Sequence, residues 1–294
     1  MKKHIAFVIF ICIFIMLLSG CVSGEQAQIA ATTLPVYEFT SRICQGTPLE
    51  VTRLVTEEVS CLHDYSLNVR QVKAAEAAEA IVISGAGLEA FLDGLLPEEK
   101  LIDASLGIEL SYPEEPHHHD HHDLHSHSHE SDPHIWLSPE NAMTMAQTIC
   151  QGLSQRYPEH KDTFSQNLTS LLADLSALQE YGQVQLATLS CRELITFHDG
   201  FAYFAQAFSL TILETIEEES GSEASAKELI QLIEKTKYHH LPAVFIEINA
   251  SPSAAQVISR ETGAKIFALD MAMAGDSYFA SMYHNIDTIK EALE

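Results

Sequence analysis

Sixteen of the 294 residues are histidine, and their spacing separates two kinds of chemistry. Eight of them, His117, His118, His119, His121, His122, His125, His127 and His129, crowd into one short tract interleaved with Asp and Ser. Neutral imidazole is the commonest metal ligand and suits Zn²⁺, Cu²⁺ and Ni²⁺. The tract lacks the hydrophobic residues that would fix one geometry, so it reads as a set of weak, multiple and exchanging accessory metal sites.

The second kind is an isolated set: His63, His134, His198 and Asp276. His63 stands in Cys61-Leu62-His63-Asp64-Tyr65, and His134 in Asp132-Pro133-His134-Ile135-Trp136-Leu137, beside the only Trp of the chain. His198 follows the apolar run Leu194 to Phe197, and Asp276 lies in Gly275-Asp276-Ser277-Tyr278. Each sits beside a predicted strand end or ordered turn. Three imidazoles and one carboxylate complete a tetrahedral set for Zn²⁺. This N₃O donor set favours Zn²⁺ over Mn²⁺, while affinity order leaves Cu²⁺ and Ni²⁺ open. Glu247, at the end of the run Ala243 to Ile248, is a substitute for Asp276, although a carboxylate there reads more simply as a cap for the helix expected at Pro252. No HExxH or GxSxG motif occurs, so neither a metallohydrolase nor a serine nucleophile is expected. The chain reads as a binding protein and not an enzyme, with a metallohydrolase kept as a competing class.

These ligands need elements to position them. Gln28 to Thr33, Leu49 to Val55, Ile81 to Ser84 and Leu101 to Ala104 read as strands. Tyr37 to Ile43, Val69 to Ala80 and Leu88 to Leu96 read as the helices between them. Gly85-Ala86-Gly87 lacks the third glycine of a dinucleotide fingerprint and reads as a tight turn. Pro139 to Arg156 is helical, and Tyr157-Pro158 breaks it. A second, longer helix is expected over 158–189, with Phe164, Leu168, Leu171, Leu172, Leu175 and Leu178 on one face. Strands then return at Leu194 to Phe197, Thr211 to Ile216, Ala243 to Ile248 and Lys265 to Leu269. They alternate with helices at Phe201 to Phe208, Ala224 to Lys237, Pro252 to Thr262 and Ser277 to Leu293. The expected fold is α/β. Two lobes with parallel, doubly wound sheets, 28–157 (with the histidine-rich loop at 111–132) and 190–294, are joined by one long backbone helix over 158–189. The metal site falls in the cleft between the lobes, because ligands in such sheets sit outside the carboxyl ends of the strands.

The first residues do not belong to this fold. Lys2 and Lys3 precede an apolar run from Ile5 to Leu18 that is short for a membrane span. The run ends in Leu18-Ser19-Gly20-Cys21, which resembles a bacterial lipobox. Residues 1–20 are expected to be a signal peptide, Cys21 the lipidated first residue, and 21–27 a tether to the membrane. With 41 acidic against 16 basic residues the formal charge is −25. Such a surface repels nucleic-acid phosphate and attracts cations. Cys44, Cys61, Cys150 and Cys191 allow two disulfides in three pairings, with free thiols also open. A strand between Cys44 and Cys61 weighs against that pair.

With these residues in view, the chain resembles the metal-receptor lipoproteins, or solute-binding proteins, of zinc and manganese ABC transporters. Ala31-Thr32-Thr33-Leu34-Pro35-Val36-Tyr37 is similar to the family's first strand and turn. Leu62-His63-Asp64-Tyr65, Asp132 to Pro139, Phe197 to Phe204, and Asp276-Ser277-Tyr278 resemble its four ligand segments in order, and the histidine-rich insertion resembles its zinc members. The segment Ser60-Cys61 lacks a usual Pro, and Met271-Ala272-Met273-Ala274 is unlike the common approach to the fourth ligand. The resemblance implies a monomer that captures Zn²⁺ outside the cytoplasm and delivers it to an ABC-transporter permease. A manganese receptor and a zinc-binding surface adhesin or reservoir are the alternatives within the same site.

Overall fold

The computed structural model describes residues 28–57, 59, 62, 65–111, 131–217 and 225–294. The expected signal peptide and tether, His63, Cys61 and the eight tract histidines lie outside the described residues.

Each half of the chain builds one four-stranded sheet. The first holds β1 (Gln28–Ala31), β2 (Glu50–Arg53), β3 (Ala80–Ile83) and β4 (Leu101–Asp103), with helices α1 (Leu34–Ile43) and α2 (Val69–Ala77) among the connections. The second holds β5 (Glu193–His198), β6 (Thr211–Glu217), β7 (Ala243–Glu247) and β8 (Lys265–Leu269). Its connections carry α5 (Ala202–Ala207), α6 (Ala226–Tyr238) and α7 (Ser253–Thr262), and it is followed by α8 (Tyr278–Leu293). All pairings are parallel, and the two sheets share one topology: β2-β1-β3-β4 and β6-β5-β7-β8. Parallel neighbours require crossovers, and helices on both faces bury strands such as Ala80–Ile83 and Ala243–Glu247. In each sheet the order reverses beside its first strand, which opens a crevice at the carboxyl ends of β1 and β3 and of β5 and β7.

Helix α3 (Pro139–Arg156) packs on the first lobe, and α4 (Lys161–Gln185) runs from it to the second. Ser138 caps α3 by accepting from the Asn141 N–H, with Pro139 in the first turn, where a missing N–H does no harm. The chain breaks at Tyr157, and Pro158–His160 forms a 3₁₀ turn, so the long helix starts three residues later than expected and ends at Gln185. Its 25 residues span about 37 Å. It packs on α1 and α3 in the first lobe and on α8 in the second. Gly182 lets it approach the second lobe, because a Cβ there would stand 2.2 Å from Phe208 Cε1. The helix expected over Leu88 to Leu96 is instead a 3₁₀ turn at Ala90–Leu92. Glu89 turns its carboxylate back onto the Ser84 and Gly85 N–H groups, and Gly94 adopts φ +68°, so the backbone cannot continue as an α-helix.

The lobes meet along a bonded seam. Trp136 Nε1 donates to Met271 O at 2.8 Å, and Tyr278 Oη donates to Trp136 O at 2.8 Å. Arg53 Nη1 donates to Gly275 O at 2.8 Å. Glu38 of α1 accepts from the Tyr278 N–H at 2.6 Å, placing a carboxylate at the positive end of α8. One core cluster runs through both lobes, from Ile29 and Phe39 through Trp136 to Phe204, Tyr278 and Ile289. Cys44, Cys150 and Cys191 are free thiols, and burial pushes the Cys44 thiol up to about 12. No helix among the described residues is long and apolar enough to cross a membrane.

Candidate metal centre

His198 is the last residue of β5, and Glu247 is the last residue of β7. These strands are neighbours at the reversal of the second sheet, the position at which this topology presents ligands. His134 comes from the other lobe, at the start of the 3₁₀ turn Ile135–Leu137 that leads into α3. Both histidines are buried.

Each imidazole has a carboxylate beside its Nδ1. Asp132 Oδ1 accepts from the His134 backbone N–H at 2.9 Å and lies 2.8 Å from His134 Nδ1. This is the local Asp side-chain turn that a two-residue spacing permits. Glu247 Oε1 lies 3.3 Å from His198 Nδ1. A carboxylate that accepts from Nδ1 keeps the proton there and leaves the Nε2 lone pair for a metal, the arrangement the Asp132 contact offers His134. The two Nε2 atoms face each other at 3.4 Å, with the rings edge to face at 88°. At this distance one ring can donate to the other, the direction set by the tautomers, or both can turn a lone pair to one cation. With Zn–N bonds of 2.0–2.1 Å, a 3.4 Å separation corresponds to an N–Zn–N angle of about 110°. That is close to the tetrahedral angle.

Neighbouring side chains hold the pair. Trp136 packs edge to face on His134, with ring centroids 5.4 Å apart. Gly200, two residues after His198, provides the room: a Cβ there would lie 2.9 Å from His198 Cδ2 and 3.2 Å from His134 Cε1. Tyr203 of α5 ties the start of the His134 segment, since its hydroxyl accepts from the Ser111 N–H and donates to Asp132 O.

The structure brings His134, His198 and Glu247 together. It places Asp276 exposed in the loop before α8. Glu247 does not cap the helix near Pro252, which has no side-chain cap; it faces His198. A cavity of about 30 Å³ is lined by Val59, Glu247, Asp270 and Met271 among others. Val59 lies four residues before His63 in the sequence. Among the described residues no three His, Cys, Asp or Glu side chains form a complete metal cluster.

Sequence reasoning assigned no part to Asp132, Gly200 or Asp270. Asp270 follows the run Lys265 to Leu269 just as His198 follows Leu194 to Phe197, so the strand-end rule would have found it. Its carboxylate accepts from the Ala272 N–H at 2.8 Å and from Ser281 Oγ at 2.7 Å.

Two parallel α/β lobes spanned by one long helix, with an imidazole pair at their junction, define a two-lobed solute-binding fold. The chain matches the family described as zinc-uptake complex component A, periplasmic (ZnuA), over residues 29–292, and it belongs to that family. The zinc-binding lipoprotein AdcA of Streptococcus pneumoniae is 29% identical over 299 residues, covering 95% of this chain and 59% of the relative. This chain therefore spans less than two thirds of the length of the first curated relatives it matches. Among solved structures, a crystal structure of ZnuA aligns with TM-score 0.78 and 31% identity, covering 92% of this chain and 100% of that one. The Zn(II)-bound ZnuA-like domain of Streptococcus pneumoniae AdcA aligns with TM-score 0.75 and 26% identity, covering 92% and 99%. The resemblance read from the ligand motifs and the two-lobed fold read from the strand–helix alternation both hold. The family is one of solute-binding transport receptors and not of enzymes.

Proposed function

We propose that this chain is an extracytoplasmic zinc receptor that captures Zn²⁺ between its lobes and delivers it to the permease of an ABC transporter. The observation that carries this reading is the convergence of His134 Nε2 and His198 Nε2 at 3.4 Å, with Asp132 and Glu247 beside the two Nδ1 atoms. His63 supplies the third imidazole. The fourth donor is a carboxylate of the loop 270–276. Motif position favours Asp276, and the cavity shared with Glu247 favours Asp270; Asp276→Asn and Asp270→Asn compared in one titration identify the donor. His117, His118, His119, His121, His122, His125, His127 and His129 collect Zn²⁺ weakly and raise its concentration near the cleft. Cys21 carries the lipid after removal of residues 1–20, and the monomer works from that anchor on the outer face of the cell membrane. Zn²⁺ is cargo in this reading, and the chain neither catalyses a reaction nor binds nucleic acid.

The bonded seam and the single long helix allow only small lobe movements, so release requires that permease docking distort the ligand set. Competitive titration of the protein without its signal peptide tests the reading. Zn²⁺ should be retained more tightly than Mn²⁺, and affinity should fall below roughly pH 6, where imidazoles bind protons instead. Tighter retention of Mn²⁺, or a flat profile from pH 7.5 to 5, contradicts it.

A further inference from the structure

Residues 271–278 are rooted in one lobe and gripped by the other. The segment joins β8 to α8, so both its ends belong to the second lobe. Asp270, just before it, stays with that lobe. Its N–H donates to Asn285 Oδ1, while Asn285 Nδ2 and Ser281 Oγ of α8 donate to its carbonyl and carboxylate, each at 2.7 Å. Beyond Asp270 the partners change. Met271 O accepts from Trp136 Nε1 at 2.8 Å, Met273 O from the Leu34 N–H at 3.4 Å, and Gly275 O from Arg53 Nη1 at 2.8 Å. Glu38 accepts from the Ser277 hydroxyl at 3.5 Å and from the Tyr278 N–H at 2.6 Å. The backbone between these bonds is irregular, with Ala272 at φ +53° and Gly275 at φ +86°. An alanine enters that left-handed region at a cost, so the surrounding bonds must hold it there.

The gripped stretch also covers the histidine pair. Met271, Ala272 and Met273 are buried. A Cβ built on Gly200 would stand 2.5 Å from Met271 Cε, 2.9 Å from His198 Cδ2 and 3.2 Å from His134 Cε1, so the Met271 methyl and a carbon of each ring crowd one point. Met271, Met273 and Ala274 line the small cavity together with Glu247. We propose that residues 271–278 are a strap over the pair, and that Arg53 and Glu38 are positioning residues that set how fast zinc enters and leaves. This rests on reading the pair as a metal centre, and adds the step that limits exchange. Arg53 and Glu38 act on the strap at Gly275 and at Ser277 and Tyr278, and neither is assigned as a zinc donor. Loosening the strap changes how often the centre opens, which enters the association and dissociation rates alike and cancels from Kd. A displaced donor would instead raise the dissociation rate alone. A permease that draws the first lobe away would pull the strap with it, off the His198 that β5 carries in the second lobe.

The test uses the protein without its signal peptide, loaded with half an equivalent of Zn²⁺ so that the tightest site holds it. Stopped-flow mixing with excess of the chromophoric chelator 4-(2-pyridylazo)resorcinol gives the dissociation rate. Chelator competition gives Kd, and the two together give the association rate. The unsubstituted protein is compared with Arg53→Ala, with Arg53→Ala combined with Glu38→Ala, and with His198→Ala. Arg53→Ala should raise the dissociation rate about fivefold or more, and the double substitution should raise it further, with Kd changed by less than about twofold. Should the double variant fail to fold, Arg53→Ala, which alters a partly exposed side chain, decides alone. An unchanged dissociation rate, or a rise matched by an equal loss of affinity, overturns the strap. If His198→Ala leaves Zn²⁺ affinity unchanged, the receptor reading itself fails, and that outcome is distinct from failure of the strap.

Discussion

The two sheets share one topology yet end differently. At the carboxyl ends of β1 and β3, Thr32 Oγ1 and the Ser84 N–H donate to Glu89 Oε1 at 2.7 and 2.8 Å, the Gly85 N–H donates to Glu89 Oε2 at 3.0 Å, and Thr33 Oγ1 bonds Ser84 Oγ at 2.9 Å. That crevice is sealed around a buried acid. At the carboxyl ends of β5 and β7, His198 and Glu247 instead direct an imidazole Nε2 toward the partner lobe. The same crevice thus serves as a frame in one lobe and as a ligand platform in the other. What differs is whether the strand-end groups bond one another within the lobe or turn an imidazole toward the other lobe. The first lobe lends its histidine from a separate turn, His134, braced by Asp132.

Substitutions that break this division should separate binding from stability. His198→Ala or His134→Ala removes a ligand and should weaken Zn²⁺ retention more than about a hundredfold, read by chelator competition, with a small effect on the urea midpoint. Glu89→Ala should do the reverse. Three donors lose their acceptor, so stability should fall by about 3 kcal/mol or more in urea unfolding, with zinc affinity of the folded molecules changed well under about tenfold. Gly200→Ala forces a Cβ against Met271 and both rings, and should cost roughly tenfold or more in zinc affinity. Asp132→Asn keeps the backbone bond to His134 but weakens the hold on Nδ1, and should lower affinity by about tenfold. The smallest effect is a slope. Burial pushes the Glu89 carboxyl up to about 7 from its ordinary 4.5. Its folded form therefore keeps a proton that the unfolded chain releases between those values. Stability from this group is full below about pH 4.5 and declines by on the order of 1 kcal/mol per pH unit as pH rises to about 7. Urea midpoints of the metal-free protein across that range, against Glu89→Gln, measure it.

Much of the fold was legible because local signals and tertiary context agree. Ser138, Pro139 and the Tyr157-Pro158 break mark both ends of α3, and the apolar run Lys265 to Leu269 is β8 to the residue. Where a side chain competes with the backbone, the pattern misleads: Glu89 sits in an apparent helical stretch but bonds backward across the turn. The site divides in the same way. His134 and His198 stand out because each imidazole sits at the edge of an ordered segment, and they meet in the structure. Their carboxylate partners were harder to read. Glu247 has the spacing of a helix cap, and only the proximity of β5 and β7 turns it toward His198. Gly200 carries no side chain to signal its part, and Asp276, prominent by motif, is exposed while Asp270 lines the cavity.

The central claim is that His134 Nε2 and His198 Nε2 bind the same zinc ion. Crystals grown with one equivalent of Zn²⁺ and measured on both sides of the zinc absorption edge test it directly. The account predicts one strong anomalous peak between the two rings, about 2.0–2.1 Å from each Nε2. A zinc peak confined to another part of the molecule, with the pair unoccupied, would contradict it.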